Sequence, residues 1–285
     1  MVSASDFEKN SAKFIMKKLF VIKIGGNVID DEKRLSSFLS DFAKIKEKKI
    51  LVHGGGRAAA DMSMQLGIEV KMVDGRRITD AETLKVVQMV YGGLINKNIV
   101  ARLQLGKCNA IGLTGADGNI ILAKKRAVVS PSGGGEGGGL DYGFVGHVKK
   151  VNAEKISSLL NSDFTPIVAP LTHDGKGEIL NTNADTMASA IAVALAKKYD
   201  STLIYCFEKS GVLRNVEDES SVIDTMNSSD YKKYKTDGVI SKGMIPKLDN
   251  AFEAISKKVK SVVICNANDV AKVIVAKKYG TRLEK

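Results

Sequence analysis

The sequence has no tryptophan and few other aromatic residues, which argues against a protein that binds nucleic acid by base stacking. Phe and Tyr together make up 6% of the 285 residues, and they do not alternate with basic residues. The formal net charge is nevertheless +11, a balance that can indicate nucleic acid, an anionic membrane surface or small anionic substrates. Because the lysines occur in short runs mixed with acids, as in residues 44–49, we interpret most of them as solvated surface charge and expect no nucleic-acid partner.

Cysteine is also scarce, which argues against a disulfide framework and against a zinc site. Cys108, Cys206 and Cys265 are far apart, odd in number and form no C-x-x-C pair. We therefore expect free, mostly buried thiols in a reducing compartment, and no metal held by the protein itself.

Long apolar runs are missing as well. No stretch approaches the ~20 apolar residues that span a bilayer, and the N-terminus lacks the apolar core of a signal peptide. We expect a cytoplasmic protein that has no membrane partner, in which residues 1–16 are a leader or an extension before the first strand.

Apolar runs rich in β-branched residues alternate with helical patterns, which is typical of an α/β protein with a parallel sheet. The predicted strands are 19–24, 50–52, 110–114, 166–169, 202–206 and 261–265. The predicted helices are 31–47, 57–65, 80–105, 153–160, 185–197, 242–257 and 268–277. The chain divides into two predicted lobes, 17–180 and 181–285, where an Asn- and Asp-rich loop begins.

Two segments have an unusual composition. The predicted helix 80–105 begins with a Thr79-x-x-Glu82 pattern that resembles a capping box, and it is apolar on more than one face. It can be a central buried helix or a subunit interface, and both interpretations stay open. Residues Ser130 to Leu140 contain six glycines and have the composition of a flexible linker, natural or engineered, to which we assign no binding role.

Two glycine-rich turns that follow predicted strands indicate an anion site. Gly25 and Gly26 come soon after Lys23, and Gly54 to Gly56 follow the second strand. Because the carboxyl ends of parallel strands lie on one side of a sheet, both turns would open into one crevice. Bare backbone N–H groups and a helix N-terminus can hold a phosphoryl group there, and Lys23 would add a full charge. The simpler interpretation is that the glycines only make tight strand-to-helix turns.

Other phosphate-binding classes fit less well. The Walker pattern is absent, so a P-loop NTPase has no support. Residues 54–59 satisfy G-x-G-x-x-A, and Asp74 follows at about the distance of a ribose-binding acid, so a Rossmann-type dinucleotide-dependent enzyme remains an alternative. That alternative leaves Lys23 unexplained. A second lysine, Lys247, follows Pro246 at the start of a predicted helix and would, taken alone, be a surface residue.

These motifs in this order resemble the amino acid kinase family, from about residue 17 to the C-terminus. The matching stretches are VIKIGGNVI (21–29), LVHGGGRAA (51–59), DGRRITDAETL (74–84), GLTGADGNII (112–121), DYGFVGHV (141–148), ILNTNADTMASAIA (179–192), SKGMIPKL (241–248) and YGTRL (279–283). The resemblance implies a three-layer αβα sandwich around a mainly parallel open sheet. It implies an N-terminal lobe for acylglutamate binding and subunit contact, and a C-terminal lobe for ATP.

The resemblance also implies an activity, namely phosphorylation of the γ-carboxylate of an N-acylglutamate by ATP with Mg²⁺, in arginine biosynthesis. The acceptor would be N-acetyl-L-glutamate, with N-succinyl-L-glutamate as a second option. Relatives that phosphorylate aspartate or free glutamate, and a non-catalytic ligand-binding module on the same fold, stay as alternatives. The expected assembly is a homodimer that arginine does not inhibit.

The family's functional residues can be carried over by motif. The resemblance implies that Lys23 and Lys247 stabilise the transferring phosphoryl group and that Asp185 holds both lysines in position. The implied acylglutamate-binding residues are Gly55, Gly56, Arg77, Asn181 and Asn183. The implied phosphoryl- and nucleotide-binding residues are Gly25, Gly26, Glu208, Lys209, Ser210, Gly211, Leu213 and Ser241. Glu208 and Lys209 stand where the family usually has Asp-Val.

This chemistry agrees with the scarcity of histidine. A kinase that acts on an alcohol usually needs a base for the hydroxyl proton, whereas a γ-carboxylate with a pKa near ~4.3 is already ionised at neutral pH. His53, His147 and His173 therefore need no catalytic role. We expect His53 to brace the glycine turn and the other two to be loop or surface residues.

Overall fold

The computed structural model describes residues 16–73, 76–128, 139–240, 244–276 and 279–285. Most of the predicted leader 1–16 and of the glycine-rich segment 130–140 lies outside the described residues. Asp74, the acid of the dinucleotide-binding alternative, and Ser241 also lie outside them.

The strands follow the apolar runs of the sequence. In β1, Leu19 and Val21 face one hydrophobic core, whereas Phe20 and Ile22 face the other, because successive side chains of a strand point to opposite faces. The strands in chain order are β1 Lys18–Ile24, β2 Lys48–His53, β3 Met72–Val73, β4 Arg76–Arg77, β5 Ala110–Leu113, β6 Ile121–Lys125, β7 Val145–Val151, β8 Thr165–Val168, β9 Leu171–His173, β10 Ile179–Thr182, β11 Asp200–Phe207, β12 Thr225–Met226, β13 Ser261–Asn266 and β14 Thr281–Leu283.

The helices have clear local causes, as the first long one illustrates. Asp31 caps its N-terminus by accepting hydrogen bonds from the backbone N–H groups of Lys33 and Arg34, both at 3.0 Å. Phe38 and Phe42, one turn apart, are fully buried on its inner face, and each contributes about 1.5–3 kcal/mol. The α-helices are α1 Gly26–Ile29, α2 Glu32–Lys44, α3 Gly56–Gln65, α4 Ala81–Val87, α5 Asn96–Leu105, α6 Ala153–Asn161, α7 Ala184–Leu195, α8 Ser228–Thr236, α9 Ile245–Ser256 and α10 Val270–Ala276.

The main sheet has eight strands in the order β12-β14-β13-β11-β1-β2-β8-β5. All six strands predicted from the sequence lie in it and pair in parallel, whereas β14 runs antiparallel to β13. One core packs α6 to α9 on one face, and the second packs the remaining α-helices on the other. The predicted three-layer αβα sandwich is therefore confirmed. The strand order also differs from the 3-2-1-4-5-6 order of dinucleotide-binding folds.

A small closed barrel of β10, β7, β6 and β9 stands beside the sheet and was not predicted from the sequence. Three of its strands have only three to five residues, and β7 has a single buried residue, so they lack the continuous apolar runs of the central strands. The barrel holds β10, which leads directly into α7. It therefore determines where the Asn- and Asp-rich loop lies relative to the sheet.

The long helix after β4 differs from its prediction in two ways. The N-cap is Asp80, whose side chain accepts from the Thr83 N–H at 2.8 Å, so the capping box on Thr79 and Glu82 is wrong. Thr79 is buried and its backbone bonds to Tyr142, which leaves it extended, before the helix begins. A π-helical segment, Gln88–Ile95, also lies between α4 and α5, where an uninterrupted α-helix was predicted.

The same helix has a buried face and an exposed apolar face. Val87, Val90 and Ile99 are at most 1% exposed in the core, whereas Met89 and Leu94 are 55% and 51% exposed. The inner face therefore belongs to the core of this chain, as the buried-helix interpretation predicted, whereas the subunit interface stays a prediction.

The two predicted lobes contribute to one sheet, since β1 pairs with both β2 and β11. None of the helices in the described part of the chain combines the length and the apolar character that crossing a membrane requires.

Candidate active site

Two lysines far apart in the sequence meet on one carboxylate. Lys23 is the next-to-last residue of β1, and Lys247 lies in the first turn of α9. Lys23 Nζ lies 2.7 Å from Asp185 Oδ1, and Lys247 Nζ lies 3.1 Å from Asp185 Oδ2. Asp185 is in the first turn of α7, directly after the barrel strand β10. The structure thus brings together the three residues to which the family resemblance gave catalytic roles.

The charges of this cluster do not balance. Burial would raise the pKa of Asp185, but the Lys23 and Lys247 ammonium groups outweigh burial and hold this pKa below its ordinary value. Among the described residues, no other carboxylate lies within 4.0 Å of either ammonium group. Two positive charges therefore face one negative charge, and the Lys23 side chain is only 8% exposed. Since burying unpaired charge is costly, the cluster favours an anionic ligand.

Phe207 packs against both ammonium groups, which sequence reasoning missed. The centroid of its ring lies 5.5 Å from Lys23 Nζ and 4.5 Å from Lys247 Nζ. The face of an aromatic ring attracts cations, so Phe207 helps to hold the two lysines side by side. Its only sequence signal was its place at the end of β11, immediately before Glu208.

The two glycine turns lie next to each other, as the parallel-sheet argument predicted. The backbone N–H of Gly54 donates to the carbonyl of Ile24 at 3.1 Å. Gly55 has φ +145°, and a Cβ there would lie 2.3 Å from Ile95 Cδ1 and 3.1 Å from the Tyr91 ring. Glycine is therefore required at 55, both by the backbone conformation and by the side chains that close over it.

Both residues that close over Gly55 come from the π-helical segment. Tyr91 and Ile95 are four residues apart and are buried. Burial raises the pKa of the Tyr91 hydroxyl, and Arg77 opposes this effect in smaller measure. π-Helical turns inside α-helices often mark functional sites, and here the segment carries Tyr91 to the glycine turn. The Gly92-Gly93 pair inside a predicted helix was the one available signal.

A network of hydrogen bonds connects the glycine turn to the barrel. Arg77 Nη2 donates to the carbonyl of Gly56 at 2.7 Å. The Thr79 hydroxyl donates to the carbonyl of Arg77 at 3.2 Å and accepts from Asn181 Nδ2 at 3.0 Å. Arg77 Nη1 is buried and has no hydrogen-bond partner among the described residues. Arg77 thus keeps a donor for a ligand.

Two cavities meet at Lys23. The first, which we call the Arg77 cavity, has a volume of about 240 Å³, and its lining includes Gly54, Gly55, Gly56, Arg77, Tyr91, Asn181 and Asn183. The second, which we call the Phe207 cavity, has a volume of about 260 Å³, and its lining includes Gly25, Phe207, Glu208 and Lys247. Lys23 and Gly26 line both cavities, so the Lys23 ammonium group lies at their junction.

The other predicted nucleotide-binding residues lie further from this junction. Lys209 forms an exposed ion pair with Glu219 at 2.5 Å, and its hydrogen bond to Glu219 raises the Lys209 pKa. Gly211 and Leu213 are buried and do not line the Phe207 cavity. Ser210 lies half-buried between Lys209 and Gly211.

Gly211 is tightly packed, because a Cβ there would lie 2.8 Å from the Thr281 hydroxyl.

Asn183, in the lining of the Arg77 cavity, caps α7 by accepting a hydrogen bond from the Thr186 N–H at 2.9 Å. Its side chain is therefore already engaged by the helix that it begins.

His53 braces the glycine turn, as predicted. Its Nδ1 lies 2.8 Å from the carbonyl of Gly54, and Asn96 Nδ2 donates to its Nε2 at 3.1 Å. Because a carbonyl can only accept, Nδ1 carries the proton and the ring is neutral. Complete burial lowers the His53 pKa to about 4, which agrees with a neutral structural role. His147 and His173 lie in strands, and His147 is exposed.

Comparison with known proteins identifies the family of this chain. The profile of the amino acid kinase family matches residues 18–266. An acetylglutamate kinase from Cytophaga hutchinsonii is 59% identical over 269 residues, which cover 94% of this chain and 99% of that protein. An acetylglutamate kinase from Bacteroides thetaiotaomicron is 53% identical with the same coverage.

Solved structures show the same architecture. The crystal structure of the protein smu.665 from Streptococcus mutans superposes with a TM-score of 0.74 at 28% identity, and covers 94% of this chain and 99% of that chain. The family profile and the curated relatives both extend over most of the sequence. This chain therefore belongs to the amino acid kinase family.

Proposed function

We propose that this protein transfers the γ-phosphoryl group of ATP to the γ-carboxylate of an N-acylglutamate, such as N-acetyl-L-glutamate or N-succinyl-L-glutamate, as a step of arginine biosynthesis. The observation that carries the proposal is the junction of two cavities at Lys23, with Lys247 and Asp185 beside it. The names of the curated relatives, both acetylglutamate kinases, support an N-acylglutamate as the acceptor.

The acceptor binds in the Arg77 cavity. Arg77 Nη1, a buried donor without a partner among the described residues, fits the α-carboxylate of the acylglutamate. Asn181 binds the acyl amide, and Gly55 and Gly56 allow the substrate to approach the backbone closely. These contacts bring the γ-carboxylate to the junction, where the Lys23 ammonium group lies.

The donor binds in the Phe207 cavity. Gly25 and Gly26 accommodate the phosphates, and the adenosine extends from Glu208 along the segment to Leu213. In the described residues no three His, Cys, Asp or Glu side chains form a group suited to hold a metal ion. Mg²⁺ would come with ATP as part of the MgATP substrate, because this cation is usually bound through substrate phosphates.

Catalysis rests on position and charge. A carboxylate and a triphosphate repel each other, and the ammonium groups of Lys23 and Lys247 offset this repulsion where negative charge develops. Asp185 keeps both nitrogens at the junction through contacts of 2.7 and 3.1 Å. No general base is needed, because the acceptor is already ionised at neutral pH.

The protein acts as a cytoplasmic homodimer that arginine does not inhibit. The exposed apolar residues Met89 and Leu94 on the outer face of the long helix support a contact between two copies of this chain. Residues 17–180 supply acylglutamate binding and this contact, and residues 181–285 supply ATP binding. Sedimentation of a monomer or a hexamer would contradict the assembly, and inhibition by low arginine would contradict the regulation.

The proposal is tested by trapping the acyl phosphate with hydroxylamine during turnover of ATP and N-acetyl-L-glutamate. We expect hydroxamate from the wild-type protein and at least ~100-fold less from Lys247→Ala. Absence of hydroxamate from every N-acylglutamate would refute the enzyme assignment. Full activity of Lys247→Ala would contradict the role of the lysine pair.

A further inference from the structure

We infer that the preferred substrate carries a negative charge at the far end of its acyl group, and that Arg76 and Arg126 bind this charge. The inference rests on the proposed function, because it concerns the acyl chain of the same N-acylglutamate. A second cleft, which we call the basic cleft, lies between β7, α7 and α9 and has a volume of about 390 Å³. Arg76 and Asn183 line both the basic cleft and the Arg77 cavity, so the two are adjoining spaces.

The lining of the basic cleft is strongly positive. Its cations are Arg76, Arg126, Lys149, Lys150 and Lys257. Its one carboxylate, Glu253, forms an ion pair with Lys257 at 2.5 Å. The positive charges of the other four cations are therefore not offset by a carboxylate of the lining. Among the described residues, no carboxylate lies within 4.0 Å of the side-chain nitrogens of Arg76 or Arg126. A space with this lining attracts an anion.

Arg76 and Arg77 have different surroundings although they are neighbours in β4. Side chains of successive strand residues point to opposite sides, so the two guanidinium groups separate. Arg77 bonds to the carbonyl of Gly56 and serves the glycine turn. No described residue accepts a hydrogen bond from the half-buried Arg76 side chain, which lines both spaces. Arg76 is therefore free to bind a group that extends out of the Arg77 cavity.

The Arg126 guanidinium group packs against an aromatic ring at the same cleft. Its guanidinium carbon lies 4.6 Å from the centroid of the Tyr142 ring, and its backbone N–H donates to the carbonyl of Val145 at 2.7 Å. A planar guanidinium group that is already held in place matches the two oxygens of a carboxylate with little loss of side-chain freedom. An acetyl group ends in a methyl group and offers no partner to either arginine. An acyl chain that ends in a carboxylate offers an ion-pair partner to both arginines.

The test compares kcat/KM for three acceptors that share the glutamate moiety. N-succinyl-L-glutamate carries the terminal carboxylate, N-succinamoyl-L-glutamate replaces it by a neutral amide of the same shape, and N-acetyl-L-glutamate lacks it. We expect the wild-type protein to favour the succinyl compound over the succinamoyl compound by at least about tenfold. We also expect it to favour the succinyl over the acetyl compound.

Variants connect this preference to the two arginines. Arg76→Leu should bring the ratio of kcat/KM between succinyl and succinamoyl acceptors close to one, and Arg126→Gln should lower the same ratio severalfold. Lys44→Gln, which removes an exposed charge on α2 that does not line the cleft, should leave the ratio at its wild-type value. Because each variant is judged by a ratio measured on one protein sample, a general loss of activity does not imitate the effect.

Two outcomes overturn the inference while the proposed function stands. One is a wild-type protein that uses the succinyl and succinamoyl acceptors equally, or that uses the acetyl acceptor best. The other is a wild-type ratio in both Arg76→Leu and Arg126→Gln. Failure of the wild-type protein to phosphorylate any of the three acceptors is a different result, because it refutes the proposed function itself.

Discussion

Replacing Asp185 by asparagine tests whether one carboxylate holds both lysines at the junction. The substitution Asp185→Asn would keep the shape of the side chain but remove its negative charge, and two ammonium groups would then face each other without a counter-ion. At 2.7 Å and an effective dielectric constant near ~20, the gross attraction between Lys23 and Asp185 is about 6 kcal/mol. Breaking a buried pair by removing one partner costs about 3–5 kcal/mol after desolvation is included.

We therefore expect Asp185→Asn to lower the free energy of unfolding by about 3 kcal/mol and kcat by at least ~100-fold. Urea unfolding measures the first quantity, and the hydroxamate assay at saturating substrates measures the second. Asp249→Asn is the matched control, because Asp249 is on α9 with Lys247 but contacts Tyr231 and Lys235 instead. A kcat within about threefold of wild type for Asp185→Asn would refute the reasoning, whatever the stability.

Two further perturbations follow from the glycine turn. Gly55→Ala should raise the KM for N-acylglutamate at least ~10-fold and lower the melting temperature. The cause is steric, because the new Cβ would lie 2.3 Å from Ile95 Cδ1. A KM and a melting temperature equal to those of the wild type would contradict this packing. The pKa of His53 is about 4 in the folded protein, below its ordinary 6.5. As the pH falls, the unfolded chain therefore binds a proton at a higher pH than the folded protein does. Above pH ~6.5 the neutral, buried His53 costs the folded state nothing. As the pH falls towards ~4, the free energy of unfolding decreases by up to about 3 kcal/mol, because the unfolded chain takes up the proton and the folded protein does not. Urea unfolding of wild type and His53→Gln should show this difference, and parallel pH dependences would contradict it.

The sequence predicted the central sheet well because its strands are buried on both faces. Strands of this kind appear as continuous β-branched runs, and the β1 residues Leu19 to Ile24 are an example. The barrel was missed because strands such as β9 and β10 have only three or four residues, and because two of its pairings, β10 with β7 and β6 with β9, join segments that are far apart in the chain. Short half-exposed segments of this kind have little local signal, and tertiary contacts decide their conformation.

The candidate site was predictable in part for the same reason. Lys23 and both glycine turns could be brought together by the rule that parallel strands end on one side of a sheet. Lys247 had no such local signal, and only the ordered set of motifs pointed to it. Phe207 and Tyr91 were missed, because a ring beneath two ammonium groups and a π-helical turn both depend on contacts that the period of an α-helix does not reveal.

The central claim is that Lys23 and Lys247 act together on one phosphoryl group between the two cavities. A crystal structure with N-acetyl-L-glutamate, MgADP and aluminium fluoride, which mimics the phosphoryl group in transfer, measures this directly. We expect both Nζ atoms within about 3 Å of the fluoride ligands, with the γ-carboxylate on the Arg77 side and ADP on the Phe207 side. A complex in which either lysine stays out of hydrogen-bond reach, or in which both substrates occupy the same cavity, would contradict the account.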